Sequence, residues 1–114
     1  MKHIDGVLLK DVQNVYSGPE GRLWELVMGQ QIHIGGMASS MDLAKSASIA
    51  AGSTGVDLCC CTGAGMRFLV RLCGVGQMIG VDATQTVIEL GRQRNADEGL
   101  ADKIDFVQAD VCRT

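Results

Sequence analysis

Residues 55–65 constrain the fold more than any other stretch of this chain, and they read Gly-Val-Asp-Leu-Cys-Cys-Cys-Thr-Gly-Ala-Gly. Residues 56–60 are apolar apart from one aspartate, which predicts a buried strand, and the small residues 61–65 predict a turn. An amphipathic helix is predicted next, with apolar positions at Met66, Phe68, Leu69, Leu72 and Cys73. In α/β folds this arrangement forms a nucleotide pocket, because small residues let a ligand approach the backbone and free helix N–H groups face it.

Two further strands are predicted after this helix. Residues 78–81 form the second, which ends in Asp82, and residues 104–107 form the third, which ends near Asp110. An acidic residue at the tip of the second strand is placed to accept hydrogen bonds from both hydroxyls of a ribose. From residue 39 the predicted order is α-β-α-β-α-β, which indicates right-handed crossovers and a parallel sheet. The fold class is therefore α/β.

Helices are predicted around these strands. Residues 11–16 and 22–28 have helical patterns, and the turn-forming residues 17–21 separate them. Residues 29–36 read as an extended loop. A capping box formed by Ser39 and Asp42 predicts a helix over residues 40–51 that ends at Gly52. The last helix is predicted to begin at a cap formed by Thr84 or by Thr86 in a second capping box, and to stop near Gly99. We divide the chain into an N-terminal helical or lid segment, 1–38, and an α/β part, 39–114.

Composition narrows the classes of protein to which the chain can belong. Its 114 residues allow one domain, and 46% hydrophobic with 20% charged residues can fill a core. The net charge of −3 argues against a nucleic-acid partner bound through its phosphates. No apolar run reaches the ~18 residues of a membrane helix, and the first residues lack a signal peptide's apolar stretch. We expect a cytoplasmic protein without a membrane partner.

The five cysteines include three in a row at positions 59–61. Adjacent residues of a strand point to opposite faces, so these cysteines cannot form an ordinary disulfide with each other. No Cys-x-x-Cys pair is present, and no metal site is predicted. The favoured interpretation is small apolar residues in the core of a reduced cytosolic protein, and the alternative is a thiol-based metal or redox role.

The order Asp-x-Cys-x-Cys-x-Gly-x-Gly, with Asp82 and Asp110 after the next two strands, resembles the class I S-adenosylmethionine-dependent methyltransferases. The usual first turn of that family is Asp-x-Gly-x-Gly-x-Gly. The resemblance implies S-adenosylmethionine as cofactor, with the turn along its methionine and ribose. Asp82 is implied to bind the ribose hydroxyls, and Asp110 with Val111 is implied to contact the adenine amine. Asp57 is implied to hold the turn's amides or the cofactor's ammonium group. The implied cofactor-binding residues are Asp57, Cys59, Cys60, Cys61, Thr62, Gly63, Gly65, Asp82, Ala83, Asp110 and Val111.

The resemblance extends upstream of the first strand. Tyr16, residues 23–25 and residues 29–35 are similar to the segment that precedes the core in sarcosine and dimethylglycine N-methyltransferases. Quinone C-methyltransferases share the core. This likeness implies a small-molecule methyl acceptor, and it makes Tyr16, Gln30 and His33 acceptor-side candidates without assigning a catalytic residue. By default, a lone histidine in a loop is simply solvated or hydrogen-bonded, which is the alternative for His33.

Two cysteines stand where that family has glycine. Cys59 is a mild change, whereas a Cβ at Cys61 crowds the cofactor, or strains the backbone if the site needs a positive φ. The alternative is therefore a fold that has lost its ligand.

The predicted strands are three, whereas the family's sheet has seven. The resemblance implies an N-terminal half, a truncated Rossmann-like fold in which the first strand is an open edge. We expect that edge to pair with a second copy, most simply antiparallel, so that a homodimer completes the sheet. The alternative function is a non-catalytic association module.

Overall fold

A computed structural model describes residues 6–28, 33 and 35–113 of the chain. These residues form five α-helices, three strands and one 3-10 helix. The helices are α1 (Leu9–Ser17), α2 (Pro19–Met28), α3 (Gly36–Ser46), α4 (Ala64–Leu72) and α5 (Gln85–Asp97). The strands are β1 (Thr54–Leu58), β2 (Gln77–Asp82) and β3 (Ile104–Gln108), and the 3-10 helix is Val111–Arg113. None of the helices described is long and apolar enough to cross a bilayer.

The three strands form a parallel sheet in the order β1-β2-β3. Val56 pairs with Ile79, and Ile79 pairs with Asp105, so the strands end side by side at one edge of the sheet. The predicted α/β class, strand count and parallel direction are confirmed. Among the residues that the structure describes, β1 pairs only with β2 and is an edge strand of this sheet, as expected.

One face of the sheet carries the core. Met66 of α4 and Ile88 of α5 pack on this face against Met78, Ile104 and Phe106, and all five side chains are buried. A parallel sheet is normally covered on both faces. On the opposite face, the exposed fractions are 61% for Val56 and 62% for Leu58, and Ile79 and Val107 are exposed beside them. Within the described part of the chain, one face of the sheet is therefore packed and the other exposes apolar side chains.

Several predicted boundaries are wrong for local reasons. The turn at 17–21 reduces to Gly18, because Pro19 begins α2, where a proline loses no helical hydrogen bond. The capping box of Ser39 and Asp42 does not start α3. Instead Gly35 precedes the helix in a left-handed conformation, with φ of 89°. The same helix ends at Ser46 rather than near Gly52, and Ser48 follows with a φ of 54°.

Other corrections concern the strand and helices near the turn. β1 ends at Leu58, so Cys59 and Cys60 belong to the turn rather than to the strand. On α4, Leu72 is exposed and Arg67 is buried, which reverses the predicted polarity of those two positions. The cap of α5 is Thr84, and Thr86 lies inside the helix, so the second capping box is wrong.

Candidate functional site

Several of the implied cofactor-binding residues meet at the carboxyl ends of the strands. A cavity of about 460 Å³ lies there, and we call it the strand-end cavity. The implied residues that line it are Cys59, Cys61, Asp82, Ala83, Asp110 and Val111. Its other lining residues are Leu9, Val12, Tyr16, Thr84, Val87, Ala109 and Cys112. The structure thus brings six of the eleven implied residues around one cavity.

A second cavity of about 410 Å³ lies between the turn and helices α1 and α2, and we call it the helix-side cavity. Cys60, Thr62 and Gly65 line it, and Cys61 and Tyr16 line both cavities. Neither cavity is lined by Asp57 or Gly63. The turn therefore separates two spaces, and Cys61 borders each of them.

The turn is left-handed at alternate positions. The φ angles are 60° at Cys59, 52° at Cys61 and 87° at Gly63. A left-handed conformation costs a residue with a Cβ about 1–2 kcal/mol, which is why glycine is usual at such positions. Of the two effects considered for a Cβ at Cys61, the structure shows the condition for backbone strain, because Cys61 has a positive φ. The interpretation of Cys59 as a mild change is wrong, because Cys59 has the same backbone conformation.

Asp82 fixes this turn to the end of β2. Its Oδ2 accepts the Cys61 N–H at 2.9 Å, and its Oδ1 accepts the Thr84 N–H at 2.9 Å. Each carboxylate oxygen has a second lone pair, so both can still accept a hydroxyl from a ligand. These bonds help to hold Cys61 in its left-handed conformation and aim the carboxylate at the cavity.

Asp57 lies near the first turn of α4. Its Oδ2 is 3.6 Å from the position that a Cβ on Gly65 would take. Burial raises the pKa of the Asp57 carboxyl, and the negative charge of Asp82 raises it further. A cation near these two carboxylates would relieve their repulsion. That Asp57 holds the turn's amides or a ligand ammonium remains a prediction.

The Cys60 side chain packs in the hydrophobic core and does not pair with the carboxylate of Asp57 or of Asp82. Its side chain is buried, and its Sγ lies 2.7 Å from where a Cβ on Gly80 would be. Burial, with the charges of Asp82 and Asp57 adding to it, raises the pKa of the Cys60 thiol to about 12. Cys59 is exposed and Cys61 is half-buried, so the core interpretation of the triplet is correct for Cys60 alone.

A buried cluster of polar side chains from α4 and α5 holds the turn by hydrogen bonds. The sequence analysis did not predict it. Arg67 Nη1 donates to the Thr62 carbonyl at 2.7 Å and to Asn95 Oδ1 at 3.1 Å. Arg94 Nη1 donates to Thr62 Oγ1 at 3.3 Å and forms an ion pair with Glu25 of α2. No sequence signal distinguished Arg67 or Asn95, because both lie among residues of ordinary helical pattern.

The acceptor-side candidates are only partly described. Tyr16 is exposed at the border of both cavities. His33 lines the helix-side cavity, and its Nε2 is 2.9 Å from Ser40 Oγ, which fits the default of a hydrogen-bonded histidine. Gln30 lies outside the described residues.

Asp110 Oδ1 accepts the Cys112 N–H at 2.9 Å. The described residues contain no group of three or more His, Cys, Asp or Glu side chains able to hold a metal ion.

Comparison with solved structures identifies the fold. A protein from Galdieria sulphuraria described as a sarcosine dimethylglycine methyltransferase is 21% identical, with a TM-score of 0.71 over 83% of this chain and 42% of its own. Phosphoethanolamine N-methyltransferase 2 of Haemonchus contortus, solved with S-adenosyl-L-methionine, is 20% identical, with a TM-score of 0.75 over 96% of this chain and 26% of its own. A methyltransferase from Thiobacillus denitrificans, solved with S-adenosyl-L-homocysteine, is 21% identical, with a TM-score of 0.64 over 82% and 37% of the two chains. The chain therefore spans less than half the length of each of these neighbours.

Comparison at the level of sequence gives the family. No curated protein matches the chain. A family model described as a methyltransferase domain matches residues 56–114, which contain the turn, Asp82 and Asp110. Because this match covers just over half of the chain and the fold agrees with it, the chain belongs to the methyltransferase domain family.

Proposed function

We propose that the chain binds S-adenosylmethionine in the strand-end cavity, as the cofactor-binding half of a small-molecule methyltransferase that is inactive or incomplete alone. The observation that carries this proposal is the geometry around Asp82. Its carboxylate is fixed by two backbone N–H groups, and one lone pair on each oxygen remains for a ribose hydroxyl.

The residues present fit such a cofactor. Left-handed backbone at 59, 61 and 63 keeps the turn compact beside the cavity. A cavity of about 460 Å³ is within the usual range of small-molecule sites. Asp110 and Val111 would contact the adenine amine, Ala83 would lie against the ribose, and the turn would hold the methionine. The Cβ atoms of Cys59 and Cys61, which both line the cavity on left-handed backbone, work against this fit.

The bound cofactor would supply a methyl group attached to a sulfonium sulfur, so that the methyl carbon is the electrophile and the sulfur would leave as a neutral thioether. The protein's contribution is then to orient an amine, carbon or oxygen nucleophile in line and to exclude water. Tyr16, Gln30 and His33 are proposed to face the methyl acceptor. A dedicated base is optional in such a transfer, so we assign none of them as a catalytic base.

Calorimetric titration with S-adenosylmethionine and S-adenosylhomocysteine tests the proposal. We expect micromolar affinity, and Asp82→Ala should weaken it more than about 100-fold, because hydrogen bonds to a charged group contribute about 1.5–3 kcal/mol each. Asp82→Asn should be intermediate, since one oxygen acceptor remains. Asp105→Ala is the matched control, because Asp105 is exposed on β3 and lines neither cavity. The absence of binding heat in a folded wild-type protein would refute cofactor binding.

The second candidate function is a non-catalytic association module. The open edge of the sheet and the exposed side chains on β1 favour it. β1 is an edge strand, and Val56 and Leu58 expose most of their surface. Such an edge can pair with another strand, and we propose a homodimer in which two copies of β1 meet antiparallel. This arrangement would also give the cofactor-binding form a more complete sheet.

Sedimentation velocity over a range of concentrations tests the dimer. We expect a concentration-dependent dimer that Val56→Lys abolishes, because lysine on an edge strand opposes strand pairing. Leu26→Lys is the control, since Leu26 is 83% exposed and belongs to helix α2 rather than to a strand. A wild-type protein that stays monomeric at every concentration would exclude the dimer.

A further inference from the structure

Helix α1 forms one side of the strand-end cavity. Leu9, Val12 and Tyr16 all line this cavity. These positions are separated by three and four residues, so their side chains share one face of the helix. The family model begins at residue 56 and therefore assigns no role to α1. The proposed function also places the cofactor contacts elsewhere, in the turn and after β2 and β3.

The face of α1 that borders the cavity does not take part in core packing. The structure describes all of α1, and none of its residues is buried. The exposed fraction is 40% for Val12 and 44% for Tyr16. Ligand sites are lined mostly by apolar and aromatic side chains, with a few polar groups that fix the ligand's orientation. An apolar helix face beside the Asp82 carboxylate has this composition, and it suits a nucleoside with its flat base and polar hydroxyls.

A side-chain hydrogen bond attaches α1 to the loop that follows β2. Gln13 Nε2 donates to the Ala83 carbonyl at 2.8 Å, although the two residues are 70 positions apart in the sequence. Ala83 lies between Asp82 and Thr84, whose N–H donates to the Asp82 carboxylate. The helix also packs against α2 and α5. Because α1 buries no side chain, the Gln13 bond helps to hold its apolar face at the cavity.

We propose that α1 is an apolar wall of the cofactor site, in which Leu9 and Val12 contact the nucleoside of the bound cofactor and Gln13 positions the helix. This inference rests on the proposed cofactor binding in the strand-end cavity. Gln13 does not line the cavity itself, so it acts through the Ala83 carbonyl and not by touching the ligand.

Attachment of α1 and binding of the cofactor then stabilise each other. A ligand that contacts the wall binds best to molecules in which α1 is attached, so its apparent Kd rises as the attached fraction falls. By the same coupling, a bound ligand increases the attached fraction. Gln13 therefore affects the affinity without a contact of its own, and the ligand slows hydrogen exchange of the α1 amides.

The first test changes Val12 and uses Val15 as its matched control. Both valines belong to α1, and their exposed fractions are 40% and 43%, but only Val12 lines the strand-end cavity. We expect Val12→Asn to weaken S-adenosylhomocysteine binding about fivefold or more in calorimetric titration, because the ligand loses an apolar contact and covers a polar amide. Val15→Asn should bind within about twofold of the wild type. Equal losses in the two variants would overturn the apolar wall.

The second test removes the amide of Gln13. Gln13→Met keeps the size of the side chain, and Asn14→Leu is the matched control, because Asn14 is exposed and lines neither cavity. We expect Gln13→Met to weaken S-adenosylhomocysteine binding about three- to tenfold, the effect of one lost hydrogen bond. Gln13→Lys restores a donor of similar reach and should recover most of the affinity, whereas Asn14→Leu should bind as the wild type does.

The stability of these variants distinguishes positioning from a merely structural role. The urea midpoint of Gln13→Met should stay close to that of the wild type, because α1 buries no side chain and the Ala83 carbonyl keeps Gln108 Nε2 as a donor at 3.5 Å. An affinity loss that Gln13→Lys does not restore, or that accompanies a lowered urea midpoint, would overturn the positioning role of Gln13.

Hydrogen exchange measured by mass spectrometry observes α1 directly and separates the two proposals. We expect S-adenosylhomocysteine to slow exchange of the α1 amides several-fold in the wild type, and Gln13→Met to speed their exchange without ligand. If the wild type binds but α1 gains no protection, the wall is wrong and the proposed function stands. If the wild type does not bind, the proposed function fails and the wall fails with it.

Discussion

Arg67→Met is expected to destabilise the protein by about 2–4 kcal/mol, because it leaves two buried acceptors without a donor. Arg67 is 3% exposed, and its Nη1 donates to the Thr62 carbonyl and to Asn95 Oδ1. Methionine fills a similar space but donates no hydrogen bond. Since Thr62 lies in the turn, the loss should also weaken binding of S-adenosylhomocysteine.

Arg71→Met is the matched control for this change. Arg71 pairs with Glu98, as Arg67 does, yet its side chain is 58% exposed. Exposed ion pairs contribute about 0–1 kcal/mol, so this variant should unfold in urea close to the wild type. If Arg67→Met does not fold, Asn95→Ala, which leaves the bond to Thr62, should show a smaller loss. Equal urea midpoints for Arg67→Met and Arg71→Met would contradict the structural role of Arg67.

The fold was predictable from local patterns. β2 and β3 were predicted within one residue of their ends, because short apolar runs bounded by polar residues are a strong strand signal. The parallel sheet followed from the alternation of strands and helices. The start of α3 was not predictable in the same way, since it depends on left-handed backbone at Gly35 rather than on the capping pattern of Ser39.

The site was predictable only where a side chain follows a strand. Asp82 and Asp110 lie at the strand-end cavity, as expected from the carboxyl ends of parallel strands meeting at one edge, and their binding of a cofactor stays a prediction. The second role of Asp82, as the acceptor for the Cys61 N–H, depends on tertiary approach between two turns. The burial of Arg67 also depends on tertiary contacts. Its charge predicts an exposed side chain, but its hydrogen-bond partners on the turn and on α5 keep it buried.

Gly91→Ala should destabilise the protein by about 1–3 kcal/mol, although alanine is normally the better helix former. A Cβ on Gly91 would lie 2.5 Å from Phe106 Cζ and 2.6 Å from the Thr62 carbonyl oxygen. The second of these atoms belongs to the backbone of the turn, which Arg67 and Arg94 hold in place. The clash therefore has to move either α5 or the turn that borders both cavities.

Gly65→Ala is the matched control, and we expect the opposite sign. Gly65 also lies in a helix, but the nearest atom to its added Cβ is Asp57 Oδ2 at 3.6 Å, which is ordinary contact. Without ligand, this variant should be about 0.5 kcal/mol more stable than the wild type, because alanine loses less backbone entropy on folding. Urea unfolding of both variants decides the matter. A stabilising Gly91→Ala would mean that α5 stands further from the turn, so that the close packing beneath Thr62 does not support the site.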